Sequence, residues 1–511
     1  MTSNLNGAAV ESTLDELEMA PVAVTNATTN KPATKQEDPF LVAFAQPYDP
    51  DNPLDWSTGR KWAVTDVLSA TGFNRIMVST IMAPALSTIA KDLDMTSAEA
   101  AMSLSIYLLA TAFGPILIGP LSELYGREVV LHSSSLWFLV WNLACGFASS
   151  KELLIGARFL AGFGASSIYA LAGGVLSDVW RPEQRGRSLS LYLLIPLLGA
   201  CVGPIIGGFM AERTTWRWMF WATSIFQAVM MVATFTTFKE TYGPLILHRR
   251  AKRLRKETGN QQYHTEHEDL ERDKSLLSTL GRTFSRPIRL LAFHPVIQIT
   301  AVLEGFNYGL LYIVLSTFST LWIKHYGQSV EISGLHYIAI SLGEVAGSQI
   351  CGYFVDFFYR RRKARNPNGV ETPEMRLPLM VPGIIVGYLF LLFYGWTAEN
   401  RVYWVAVDIG ILLSMMGIQC VSMISTAYII DSYSSHTSSA MAATRFIESM
   451  CAFLFPLFSP RMYEVLGYGW ANTTMCFIGL VIGLPYPWIL WKYGGKLREK
   501  VASSYWEFEV T

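Results

Sequence analysis

Twelve long apolar runs constrain this 511-residue chain more than any other feature. They fall at about 62–86, 100–121, 129–149, 153–176, 188–210 and 218–238. After a polar, charged stretch at 239–293 they resume at 295–321, 333–356, 378–396, 404–429, 439–460 and 471–491. A helix of about 20 apolar residues crosses the hydrocarbon core of a bilayer. The pattern therefore predicts an all-α membrane protein with twelve transmembrane helices in two six-helix halves. Composition agrees: charged residues make up 16%, against roughly 25% in soluble proteins. A disordered chain is excluded, because such chains are polar and highly charged. The 40 basic and 40 acidic residues cancel, so no nucleic-acid partner is expected.

Basic residues orient the spans, since loops facing the cytoplasm are enriched in Lys and Arg. With the N-terminus inside, 30 of the 40 lie on the inner side. Seven lie outside (Lys91, Lys151, Arg213, Arg217, Lys324, Arg401 and Arg461), and Arg75, Arg158 and Arg445 lie within spans. Both termini are thus expected in the cytoplasm. The predicted organisation is a disordered tail at 1–61, a six-helix half at 62–238, a cytoplasmic central loop at 239–293, a second half at 294–491 and a tail at 492–511. The polar, acidic N-terminus has no signal-peptide pattern. The basic run His248–Lys256 reads either as a linker that helps set topology or as a lipid-facing helix. The six cysteines sit in apolar stretches without metal or redox spacing, and no cofactor or metal is expected. Sequons occur at Asn26, expected in the cytosol, and at Asn472, at the edge of a span.

The halves share a repeat. Gly119-Pro-Leu-Ser-Glu123-Leu-Tyr-Gly126-Arg127 follows the second span, and Gly352-Tyr-Phe-Val-Asp356-Phe-Phe-Tyr-Arg360 follows the eighth. Glycine, acid and base each recur at a spacing of 233 residues. In the fifth span Gly199, Gly203 and Gly207 are spaced i, i+4, i+8 and form one smooth face, beside Pro204, which can bend the helix.

These stretches resemble the major facilitator superfamily. The Gly119–Arg127 stretch is similar to its loop 2–3 signature, with Glu123 in place of the usual Asp. Arg158-x2-Ala161-Gly162 is similar to a fourth-span motif tied to proton transfer. The fifth-span glycines and Pro204 are similar to the motif of its drug:proton antiporters. Asp51-Asn-Pro-Leu-Asp-Trp56, Asp178-x6-Arg185-Gly-Arg187 and Pro456–Trp470 resemble the fungal twelve-span branch of those exporters. The resemblance implies a monomeric, proton-coupled exporter of a small organic molecule such as a secondary metabolite, toxin or drug, in the plasma membrane. It also implies that Gly119, Glu123, Gly126, Arg127, Asp356, Arg360, Gly199, Gly203, Pro204 and Gly207 serve conformational gating. An organic-acid or polyamine carrier of the same fold is the alternative.

Ionisable residues inside spans are the candidate site, because charge in a membrane is retained where it is used. Asn74, Arg75, Glu304, Tyr308 and Glu344 are the candidate substrate contacts. Arg75 suits a carboxylate or phenolate; its alternative is an ion pair with Glu304 or Glu344. Glu304 is the first choice for carrying a proton, with Glu344 and Asp408 next and Arg158 through the motif. Arg445 and Glu448, three residues apart, are expected to pair near the cytoplasmic mouth. The sequence holds no GxxxxGK[ST], HExxH or GxSxG pattern, so neither ATP-driven transport nor an enzyme is expected.

Overall fold

The structure, a computed structural model, describes residues 38–265, 285, 287–365, 373–433 and 437–509. Within these, the side chains of 182–183, 185–187, 189–191, 193–194, 353, 355–365, 438 and 498–509 stand outside the description. Among the described residues, nine helical stretches are long and apolar enough to cross a membrane. The last of them, Ser439–Leu497, contains Gly467 at φ 71°, where the chain folds into two passes. Two more polar helical passes, Thr58–Thr80 continued through Leu86–Asp92 and Val330–Arg365, complete the twelve.

Local sequence sets the helix ends. Ser57 caps Thr58–Thr80 by accepting from the Arg60 amide. Thr96 and Glu99 form a reciprocal capping box at the start of Ser97–Leu124, satisfying two amides that the helix itself leaves open. Pro182 and Pro295 open their helices, where no amide donor is needed. Gly126, at φ 99°, makes the tight corner into Arg127–Gly146, a conformation that a side chain would strain.

Backbones approach closely at the predicted glycine face. A Cβ at Gly199 would stand 2.5 Å from the Phe73 carbonyl oxygen, and one at Gly203 2.8 Å from that of Met77. One at Gly207 would overlap the carbonyl of Ile81. The first and fifth spans thus pack with almost no side-chain layer between them. The second half has its own version: Gly343 and Gly347 of the eighth span meet the carbonyls of Leu412 and Met416 on the tenth.

The halves meet through the second and eleventh spans and through the fifth and eighth. Hydrogen bonds between the halves, among the described residues, run from Thr111–Ser449 (3.4 Å) toward the end opposite the termini. At that end Arg213 pairs with Glu331 (2.9 Å), the Val330 amide donates to Glu212 (3.3 Å), and Ser319 donates to the Ala83 carbonyl (3.1 Å). The molecule is closed there.

Residues 38–57 correct the expectation of a disordered tail through 61. They form a strap over Gly243–Thr258, a helix inside the predicted central loop. Arg250 donates to both oxygens of Asp49 (2.8 and 3.0 Å) and to Asp51 (2.8 Å). Leu41 bridges His264, and Arg181 pairs with Asp55 (3.1 Å). The Asp51–Trp56 motif is therefore part of a tie between the chain start, the central loop and the first half. The predicted C-terminal tail from 492 continues as helix to Glu509. Asn26 lies outside the described residues. Asn472 is fully buried and bonded to Tyr463 and the Tyr468 carbonyl, so its sequon cannot take a glycan in this fold.

The strap has a pH signature. The Arg250 guanidinium holds the Asp49 carboxyl well below the usual carboxylate range. A depressed folded-state value contributes stability that is full above the ordinary value of 3.8 and is lost as pH falls through the lower folded one. Charge-assisted hydrogen bonds contribute about 1.5–3 kcal/mol. Arg250→Ala is therefore expected to speed proteolysis of the 38–57 segment roughly 10- to 100-fold at pH 7. In the wild type, cleavage should accelerate only in strong acid. Equal rates for variant and wild type at pH 7 would show that the tie contributes nothing.

Candidate substrate cavity and proton-coupling residues

Glu304 sits ten residues into Pro295–Thr320 and is buried. One of its carboxyl oxygens has no hydrogen-bond partner. Gly305 and Gly309 beside it let the eleventh span come close: a Cβ at Gly305 would stand 2.9 Å from Ile447, and one at Gly309 2.5 Å from Phe455. That approach brings Arg445 and Glu448 into the electrostatic surroundings of Glu304, with Ser422 and Ser425 of the tenth span. Arg445 and Glu448 pair at 2.8 Å, as their spacing predicts.

Arg445 faces the seam between the halves. Its guanidinium lies 5.7 Å from the Tyr308 ring, and Tyr308 meets Tyr312 edge-on at 5.3 Å. Tyr169 of the fourth span, in the other half, is within electrostatic reach of Arg445, Tyr308 and Tyr312. Tyr169 is 46% exposed and the Arg445 side chain 44%, although both lie in mid-span. Glu344 is half-buried and within reach of Tyr312. The structure thus gathers Glu304, Tyr308 and Glu344 with Tyr312, Arg445, Glu448 and Tyr169, partly open to solvent. Such a wall stacks aromatic rings and carries three carboxyls against one guanidinium.

Asn74 and Arg75 are not part of this group. The Asn74 amide donates to the Thr223 carbonyl and to Gln227, both 3.2 Å away on the sixth span. Arg75 is 2% exposed and donates to Ser167 and to Ser135 (2.8 Å), under the Phe138 ring. Its alternative partners, Glu304 and Glu344, are not in contact with it; hydroxyls solvate the cation inside the first half. Arg158 is fully buried as well. It donates to the carbonyls of Val78 (2.9 Å), Ser103 (3.2 Å) and Leu104 (3.5 Å) and lies 4.6 Å from the Tyr107 ring. It ties the fourth span to the first two.

Asp408 lies far from Glu304, near the closed end, bonded to His336 at 2.7 Å. In the loop 2–3 signature, Arg127 is buried, paired with Asp178 (3.5 Å) and bonded to Ser122. Its amide donates to Glu240 (3.0 Å), beyond the sixth span. Glu123 is exposed, and open space surrounds Gly119. The side chains of Asp356 and Arg360 lie outside the described residues. Sequence reasoning missed Asp178 and Glu240 as partners of Arg127, and His336 as a partner of Asp408. An apolar cleft of about 260 Å³, lined by residues such as Ile350, Phe354, Met416 and Ile424, lies on the eighth to tenth spans. It holds no ionisable group other than thiols and lacks the chemistry of the seam.

The profile described as Major Facilitator Superfamily matches residues 68–456, three quarters of the chain. The chain belongs to the major facilitator superfamily. This transporter is 52% identical over 425 residues to a probable efflux pump, mfs2, of Aspergillus flavus, covering 83% of this chain and all of that one. It is 41% identical to the efflux pump vrtL of Penicillium aethiopicum, covering 94% and 95% of the two chains. Among solved structures it shares its fold with the xylose transporter XylE from E. coli in a partially occluded inward-open conformation. There the TM-score is 0.61 at 14% identity, covering 85% of this chain and 98% of that one.

Proposed function

We propose that this transporter exports a small, aromatic-accommodating organic molecule across the plasma membrane in exchange for protons, with both termini in the cytoplasm. One observation carries the reading. The transporter gathers a buried carboxyl with an unpartnered oxygen, three tyrosines and an ion pair at the seam between its halves, where a rocking motion would expose them to either side in turn. The names of the fungal relatives favour export. Glu304 is the proposed proton carrier, with Glu344 second. The proposed substrate wall is Tyr169, Tyr308, Tyr312 and Arg445. The glycine seam and the Arg127 cluster are the proposed gating parts.

The carboxyl excess at the seam, together with the sealing of Arg75 inside the first half, favours a neutral or amine-bearing substrate over a carboxylate. An amine carrier is therefore the second reading. Inside-out vesicles with an acidic lumen should accumulate rhodamine 6G, a cationic aromatic probe, and collapsing the pH gradient should lower accumulation about tenfold, equivalent to one pH unit of driving force. Diamines should compete and dicarboxylates should not. Accumulation indifferent to the gradient would overturn proton coupling.

A further inference from the structure

A second ionisable cluster lies at the closed end, away from Glu304. His336, near the start of Val330–Arg365, is 7% exposed. Its Nδ1 lies 2.7 Å from Asp408 Oδ2 on the tenth span, and its Nε2 lies 2.8 Å from Gln328 Oε1 in the loop between the seventh and eighth spans. The ring stacks on Trp322 at 3.7 Å, with 9° between the planes. The other oxygen of Asp408 is buried without a partner. A neutral imidazole donates from one nitrogen only, whereas the protonated ring satisfies both oxygens at once. A cationic ring would have the flat Trp322 face on one side and the Asp408 carboxylate at its Nδ1.

Among the described residues, no competing acid lies at contact distance of the pair. Tyr326, beyond the seventh span, and Tyr394 of the ninth are within electrostatic reach of Asp408, and Arg401 of the ninth-to-tenth loop acts on Tyr326. His325 turns to the Ala398 carbonyl (3.1 Å), Lys324 is exposed, and Trp404 is a ring neighbour at 5.6 Å. On the helix of His336 itself, Glu331 is engaged by Arg213 of the other half.

The cluster sits directly behind the closed seam. Gln328 precedes Val330, whose amide holds Glu212, and Glu331, which holds Arg213. Gly334, two residues before His336, lies against the Pro204 carbonyl and Gly208 of the fifth span. We propose that His336 and Asp408 form a proton-binding site on the outer face, distinct from the transported proton, whose occupied form draws Gln328 and its loop inward and holds the outer gate shut. It goes beyond the proposed export and rests on that reading only for which face is outer. Acid outside would then favour return of the empty transporter to the inward-facing form.

The test needs neither substrate nor gradient, so its outcome is independent of the transport reading. Hydrogen exchange of the 322–336 segment in nanodiscs, corrected for intrinsic rates, should be about tenfold slower at pH 5.5 than at pH 8, a difference near 1.4 kcal/mol. His336→Gln and Asp408→Asn should each reduce the pH effect to under about twofold. Persistence of the wild-type effect in either variant would overturn the proposal. The wild type offers a second check that needs no His336 variant. The fluorescence contributed by Trp322, taken as the difference from Trp322→Phe, should step between pH 5 and 9 as the stacked ring gains its proton. A flat difference would also overturn it.

Discussion

Glu304→Gln is expected to uncouple transport from the proton gradient while leaving the folded protein intact. Glutamine keeps the shape and one carbonyl acceptor but cannot exchange a proton. The Glu304 carboxyl is buried, and among the described residues its Oε1 has no hydrogen-bond partner. A group left unsatisfied inside a membrane protein is expensive and is retained where it is used. Loss of coupling is equivalent to collapsing the gradient in the wild type, so accumulation of rhodamine 6G should fall about tenfold for one pH unit of driving force. Equilibrium binding at alkaline pH should change little. Glu344→Gln is the companion. If it removes the gradient dependence and Glu304→Gln does not, Glu344 is the carrier, and if neither does, both carboxyls are excluded.

The second large effect is expected at the glycine seam. Gly207→Ala places a carbon where the Ile81 carbonyl stands, and the first and fifth spans share further backbone contacts at Gly199 and Gly203. Overpacking a rigid contact costs about 1–3 kcal/mol, and the melting temperature of the detergent-solubilised transporter should fall accordingly. Gly119→Ala supplies the contrast, because nothing lies within 4 Å of the added carbon. It should leave stability within about 0.5 kcal/mol of wild type. Transport lost in Gly119→Ala without loss of stability would place the tight approach of Gly119 in the opposite conformation. Unchanged stability in Gly207→Ala would mean that the first and fifth spans can part without strain.

The sequence was most legible where physics is one-dimensional. Span length, apolar runs and the i, i+4, i+8 glycines depend only on chain-local spacing, so the helices and the close packing of Gly199, Gly203 and Gly207 were readable. So was the Arg445–Glu448 pair, three residues apart on one helix. The site was less legible because partners far apart in the chain decide it. Arg75 looked like an anion contact from its place in a span. Ser135 and Ser167, 60 and 92 residues away, engage it inside the first half. Arg158 satisfies itself on carbonyls, which no residue-type pattern encodes. Asp408 and His336 are 72 residues apart, with no motif to join them. The strap was missed because its partner is remote in the chain: Asp49 finds its counter-charge about two hundred residues later in Arg250.

The two buried guanidiniums of the first half have an electrical meaning as well. Arg75 and Arg158 meet hydroxyls and carbonyls, and among the described residues neither touches a carboxylate. Arginine keeps its charge in such surroundings. Both cations are bolted to the helices of one half, so any displacement of that half along the membrane normal carries two positive charges through part of the transmembrane field. A full crossing involves about 2.3 kcal/mol per charge per 100 mV. If the halves rock as proposed, the orientation of the empty transporter is expected to respond to membrane voltage.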